Sequence, residues 1–148
     1  MTYQLDEQVG FLLRRAHQRH TALFAEHMPA GLTPTQFSAL ARLNERGPMS
    51  QNLLGREIAV DAATIKGVVD RLVTRGLVAV APDQEDLRRV TVSLTEEGVA
   101  FVAECIPIAQ EVSELTLAPL ADRERTQLLA DLDRLASGVQ PEARSPSS

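Results

Sequence analysis

The chain has 148 residues, 44% of them apolar, and a formal net charge of −5. That length fits one domain with a small appendage and can bury a core without disulfides. No apolar run approaches the roughly 18 residues of a membrane helix, and the start MTYQLDEQVG has no basic segment followed by an apolar one, so neither a membrane span nor a secretory signal is expected. The single cysteine, Cys105, excludes an internal disulfide framework and points to a reducing cytoplasm. The acidity is uneven. Residues 1–49 hold five arginines against four acids, residues 50–95 six basic residues against six acids, and residues 96–148 four arginines against ten acids. The middle of the chain is therefore free to present a local basic face.

The first long segment predicts a helix from about Leu5 to His27, with Val9, Leu12, Leu13, Ala16, Leu23 and Phe24 on one face. Pro29 and Gly31 stop it. Thr33 as cap, Pro34 in the first helical position and Gln36 completing a capping box start a second helix. Its apolar face is Phe37, Leu40, Ala41 and Leu43, and Gly47-Pro48 ends it. Ser50 caps a short third helix with Leu53, Leu54 and Ile58. Asp61 caps a fourth, Ala62 to Arg75, with Ile65, Val68, Val69 and Leu72 on its apolar side, and Gly76 closes it in a left-handed conformation.

The periodicity then changes. Leu77 to Val80 and Val90 to Leu94 read as two strands joined by the charged loop Pro82 to Arg88, a hairpin. Thr95-Glu96-Glu97-Gly98 opens another helix, with acids in its first turn. It runs towards Leu117 and should kink at Pro107. A last helix covers about Asp122 to Ala136, with Leu128, Leu129, Leu132 and Leu135 as its stripe. The tail PEARSPSS is polar and rich in Pro and Ser, which predicts disorder.

Three helices followed by a hairpin is the order of a winged helix-turn-helix. Ser50 to Arg75 has helix-turn-helix spacing, with a tight turn at about Ala59 to Asp61. The exposed side of the recognition helix carries Ala62, Ala63, Thr64, Lys66, Gly67, Arg71 and Arg75. Small residues at its start permit close approach to base edges, Lys66 can reach a guanine edge or a phosphate, and Arg71 a phosphate. Taken alone, an ordinary amphipathic helix with solvated charges explains this pattern equally well.

With these motifs the chain resembles the MarR family of bacterial transcription regulators, over nearly its whole length. The wing pattern Asp-x-Arg, three residues, Val-x-Leu-Thr-x-x-Gly is met without a gap by Asp86, Arg88, Val92, Leu94, Thr95 and Gly98. Leu32 to Phe37, Val69 to Leu72 and Arg75 to Val78 add supporting matches. Two departures are Leu87, where many members have a further arginine, and Gly67, near which many have a basic residue. The resemblance implies a mainly α fold with a small β-hairpin wing. It implies a dimerisation helix in residues 1–32, a DNA-binding lobe in 33–98, further dimerisation helices in 99–138, and a disordered tail in 139–148. It also implies a homodimer that places two recognition helices about 34–36 Å apart on a pseudo-palindromic double-stranded operator. The candidate DNA contacts are Ser50, Gln51, Asn52, the recognition-helix residues above, and Asp86, Arg88 and Arg89 in the wing. An arginine at a hairpin tip can enter a narrow minor groove, where the negative potential is strongest.

Members of the family commonly release DNA on binding small anionic aromatic molecules. All three histidines, His17, His20 and His27, lie in or just after the first helix, near Arg14, Arg15 and Arg19. The candidate effector residues are Arg15, His17, His20, Phe24, Phe37 and Leu40. A histidine or arginine would hold a carboxylate while rings and leucines cover the rest of the ligand, a benzoate- or nicotinate-type acid with or without a hydroxyl. Each histidine singly reads better as a core residue bonded to a backbone carbonyl; the cluster leaves both readings open. His17-x-x-His20 also has helical spacing for a metal, but no nearby cysteine or dense acid cluster completes a site, so no metal or cofactor is expected. A metal-responsive regulator of the same fold, or a helical interaction dimer that no longer binds DNA, are the alternatives. No glycine-rich phosphate loop, Gly-x-Ser-x-Gly elbow or His-Glu-x-x-His suggests an enzyme. Cys105 lies in an apolar stretch, where a buried inert thiol is expected.

Overall fold

The computed structural model describes residues 2–140. A 3₁₀ turn at Leu5–Glu7 leads into α1 (Val9–His27). There follow α2 (Pro34–Arg46), β1 (Met49–Ser50), α3 (Gln51–Glu57), α4 (Ala62–Thr74), β2 (Val78–Pro82), β3 (Val90–Leu94), α5 (Glu96–Leu117) and α6 (Asp122–Ser137). The tail expected to be disordered lies, from residue 141 on, outside the described residues.

The starts of α2 to α5 are encoded by single side chains. Thr33 Oγ1 accepts from Gln36 N at 3.1 Å while Gln36 Oε1 accepts from Thr33 N at 3.3 Å. Ser50 Oγ accepts from Leu53 N at 3.1 Å, and Thr95 Oγ1 from Gly98 N at 3.0 Å. Asp61 Oδ1 accepts from Thr64 N at 2.7 Å. Each such cap stabilises its helix by about 1 kcal/mol. Gly76, at φ +76°, terminates α4 in the left-handed region as predicted.

The hairpin gains a member that the sequence pattern did not suggest. β1 pairs antiparallel with β3 through Met49↔Val92 and Ser50↔Thr91, giving the sheet order β1-β3-β2. Two residues wedged between Gly47-Pro48 and a helix cap are too short to show alternation. The core is filled by Leu40, Leu54, Ile65, Leu72, Val92 and Val102, contributed by α2, α3, α4, β3 and α5. α5 passes through Pro107 as one helix.

The terminal helices bury little within one chain. Of α1, only Phe24 is fully buried, and Val9, Leu12 and Leu13 are exposed. On α6, Leu129, Leu132 and Leu135 are exposed. The base of α6 is held by Arg125, which donates from Nε to Leu120 O at 2.9 Å and from Nη1 to Glu114 at 2.7 Å.

The winged lobe joins α5 through a close contact. A Cβ on Gly98 would stand 2.0 Å from Leu77 O, so only glycine fits there. Gly98→Ala is expected to destabilise the protein by about 1–3 kcal/mol, because backbone rather than a mobile side chain must give way. Gly10 in α1 has nothing within 4 Å of its ideal Cβ, so Gly10→Ala should be neutral or stabilising by up to about 1 kcal/mol. Chemical denaturation of both variants checks the contrast; equal effects would contradict it.

Candidate nucleic-acid interface and effector cavity

Helices α3 and α4 meet closely because Gly55 carries no side chain: its ideal Cβ would lie 3.1 Å from Ile65 Cγ2. The turn between them passes through Ala59 at φ +60°, a left-handed conformation rarely adopted by a residue with a side chain. Hydrogen bonds to Thr64, from its side chain and then its backbone, hold the Asp61 carboxyl below the usual carboxylate range. The cap is thus a carboxylate at the positive end of α4.

Ala62, Ala63, Thr64, Lys66, Arg71 and Arg75 are exposed and Gly67 is half-buried. Three cations of this face are held differently. Lys66 Nζ lies 3.0 Å from Asp70 Oδ2, one turn on, in a solvated pair that holds little energy and releases Lys66 readily. Arg71 Nη1 lies over Gly67, 3.5 Å from where a Cβ there would stand, an ordinary contact distance across the helix. Arg75 turns the other way. Its guanidinium sits 5.4 Å from the centre of the Phe101 ring on α5, and Nη1 reaches Gly31 O at 3.4 Å. Sequence reasoning placed it with Lys66; in the structure it braces α4 against the rest of the chain. Ser50, the N-cap of α3, has its hydroxyl engaged, and within α3 Gln51 is half-buried and Asn52 exposed.

The wing is organised by Asp86. Its Oδ1 accepts from Arg88 N at 3.0 Å and from Arg88 Nε at 3.4 Å, and Oδ2 lies 3.8 Å from Arg89 Nε. The Asp86 side chain is 35% exposed, those of Arg88 and Arg89 93% and 62%. The acid therefore faces the loop and presents the two arginines outwards.

The six residues grouped as an effector site fall into three places. His17 and His20 line a cavity of about 470 Å³ between α1, the end of α5 and α6. Ser113, Thr116 and the leucines Leu128 and Leu132 form much of its remaining wall. Phe24 and Leu40 belong to the core, Phe24 packing at 6.1 Å between ring centres against Phe37. Phe37 also lines a separate open cleft with Ile106 and Gln110. Arg15 lies over the Phe11 ring at 6.0 Å. A helical wheel assigns faces but not which neighbouring helix covers them, which is why it merged these groups.

Two polar residues of the cavity wall, Ser113 and Thr116, escaped the sequence reading. Thr116 Oγ1 donates to Val112 O at 2.8 Å and lies 2.8 Å from His20 Nδ1. With the hydroxyl proton committed to Val112, Nδ1 carries the imidazole proton and Nε2 keeps its lone pair. Arg19 donates from Nη1 to Thr116 O at 2.8 Å and from Nη2 to Leu115 O at 2.9 Å, tying α1 to the carbonyl end of α5. His27 takes the bland role, with Nδ1 2.9 Å from Leu23 O. Among the described residues, no group of three or more His, Cys, Asp or Glu is placed to hold a metal, and no helix is long and apolar enough to cross a membrane. Cys105 is buried, and burial pushes its thiol up, as its apolar surroundings predict.

A capped recognition helix, a closely packed helix-turn-helix and an arginine-tipped wing together define a winged-helix regulator of transcription. The MarR family model matches residues 32–90. The HTH-type transcriptional repressor NicR of Pseudomonas putida is 47% identical over 128 residues, 86% of this chain and 81% of its own. A crystal structure of a probable transcriptional regulator from Pseudomonas aeruginosa is 51% identical with a TM-score of 0.87, covering 89% of this chain and 99% of that one. A structure describing how 6-hydroxynicotinic acid regulates DNA binding by Bordetella bronchiseptica BpsR is 39% identical with a TM-score of 0.88, covering 92% and 98%. The chain belongs to the MarR family.

Burial first, and the neighbouring His17 charge second, lower the pKa of His20 from its ordinary 6.5. The unfolded chain then binds more protons than the folded one, so stability rises with pH through this range. It is lost as the pH falls below about 6.5 towards the folded value. Thermal midpoints from pH 7.5 to 5.5 should fall more for the wild type than for His20→Asn; parallel curves would contradict this.

Proposed function

We propose that the protein is a homodimeric repressor, released from a pseudo-palindromic operator by a hydroxylated aromatic carboxylic acid of the nicotinate or benzoate type. The observation that carries the effector reading is the pair His17 and His20 on the wall of the leucine-lined cavity. A carboxylate would accept hydrogen bonds from the His17 imidazole and the Ser113 hydroxyl, and a hydroxyl on the ligand would donate to the free Nε2 of His20, while the ring displaces water from Leu128 and Leu132. The similarity to BpsR, whose DNA binding 6-hydroxynicotinic acid regulates, supports a hydroxylated pyridine acid as the first compound to test. Likeness to the repressor NicR supports repression over activation. The exposed Val9, Leu12 and Leu13 of α1 with Leu129 and Leu135 of α6 support dimerisation, since such surface is costly to leave in water.

For DNA, Lys66, Thr64 and Arg71 are the recognition-helix contacts and Arg88 and Arg89 the wing contacts, with Asp86 positioning the latter. Arg88→Ala should weaken operator binding most at sites with a narrow AT-rich minor groove. Lys66→Ala should cost about 1–3 kcal/mol if Lys66 reads a base. Footprinting on the DNA upstream of the chain's own coding sequence supplies the operator, and titration with both variants tests the contacts. Unchanged affinity in both removes this interface.

The effector experiment is calorimetry with 6-hydroxynicotinate, nicotinate and salicylate, run beside operator release. Moving occupancy from 99:1 to 1:99 requires a preference of roughly 10⁴-fold for the DNA-incompetent state. A hydroxylated acid should bind and release the operator, and His20→Ala should weaken both. If no such acid binds, or if His17→Ala and His20→Ala both leave affinity unchanged, the cavity is not the effector site.

A further inference from the structure

Leu87 is, among the described residues, the most exposed of the large apolar side chains, at 82%. Its position is fixed, not accidental. Arg89 N donates to Asp86 O at 2.9 Å, which makes Asp86 to Arg89 a tight turn with Leu87 and Arg88 as its two central residues. Asp83 N donates to Arg89 O at 2.9 Å and closes the loop below it. Asp86 turns its carboxylate onto Arg88 N, leaving Leu87 and Arg88 side by side and solvent-exposed in the loop of the wing. A leucine held there has no partner in its own chain, and the cations beside it are suited to a polyanion. The walls of a DNA minor groove meet both demands, since deoxyribose rings present C–H surface directly below the phosphates.

We infer that Leu87 is a specificity-determining contact of the wing, seated against deoxyribose in the minor groove while Arg88 occupies the negative potential beside it. The inference rests on the reading of the chain as a DNA-binding regulator. Its physical consequence is that the tip reads groove width by apolar fit, whereas a charge at the same position would grip phosphates of any sequence. Leu87 contributes affinity without counterion release, so its removal leaves the salt dependence alone.

The test uses the full chain and duplexes that the wild type selects from a random library, with an unselected duplex as reference. Affinities are measured across a series of salt concentrations for Leu87→Ala, Leu87→Met and Leu87→Arg. The solvent-exposed tip makes folding of these variants easy to retain, and circular dichroism verifies it. Leu87→Ala should lose about 3–10-fold on selected duplexes with an unchanged salt slope, in line with the apolar area it removes. Leu87→Met should keep most of the affinity. Leu87→Arg should steepen the slope by about 0.9 per added phosphate contact and narrow the ratio between selected and unselected duplexes. The inference is overturned if Leu87→Ala binds selected duplexes as the wild type does, or if it loses equally on both duplexes with a shallower slope. A wild type that selects no duplex would instead remove the DNA-binding reading on which this one stands.

Discussion

The architecture turns on the contact between Gly98 and the carbonyl of Leu77. That oxygen accepts from Thr95 N at 3.1 Å and lies where a Cβ on residue 98 would stand. Thr95 Oγ1 donates to Gly76 O at 2.7 Å and accepts from Gly98 N. One threonine and one glycine therefore join the end of the recognition helix, the first wing strand and the start of α5 in a single joint. The Leu-Thr-x-x-Gly motif is a statement about this joint. Leucine fills the lobe, threonine bonds both ways across it, and glycine permits the approach.

The negative net charge is compatible with a DNA-binding role because neutralisation is local. Asp61 is spent at the N-terminus of α4, Asp70 pairs with Lys66 on an exposed helix face, and Asp86 is turned into the wing loop. These three acids have structural uses that keep them from simply repelling phosphate. Arg75 shows the reverse economy: the exposed cation that caps the end of the same helix stacks on Phe101 and so links the helix to α5.

Elements governed by local rules were legible in the sequence. Thr33, Ser50, Asp61 and Thr95 announce their helices because a cap is decided within four residues, and Gly76 announces the end of α4 for the same reason. What was not legible depends on partners distant in the chain. β1 exists only because β3 lies beside it. Arg19 is an unremarkable helix arginine until α5 brings Leu115 and Thr116 to it. The effector candidates other than Arg15 were read on one helical stripe and its neighbour, but Phe24 and Leu40 turn into the core while His17 and His20 turn towards α5 and α6. Spacing gives the face of a helix; only packing gives what covers it.

The same packing supplies a physical route from the proposed effector cavity to the lobe. α5 carries both ends of that route. Its last turns hold Thr116 against His20 and are tied by Arg19. Its first turn is locked to the lobe through Thr95 and Gly98. Its 22 residues make a rod of about 33 Å, so a rotation of a few degrees at the cavity displaces the far end by some ångströms. Pro107 removes one hydrogen bond near the middle, which makes that point the softest of the rod and a natural place for it to bend. A ligand that merely filled the cavity would change nothing; one that fits better when α5 is tilted draws the lobe with it, because the joint at Gly98 has no slack to absorb the movement. In a two-fold dimer the tilt would act on both lobes and alter the separation of the two recognition helices, the one distance that a palindromic operator does not forgive.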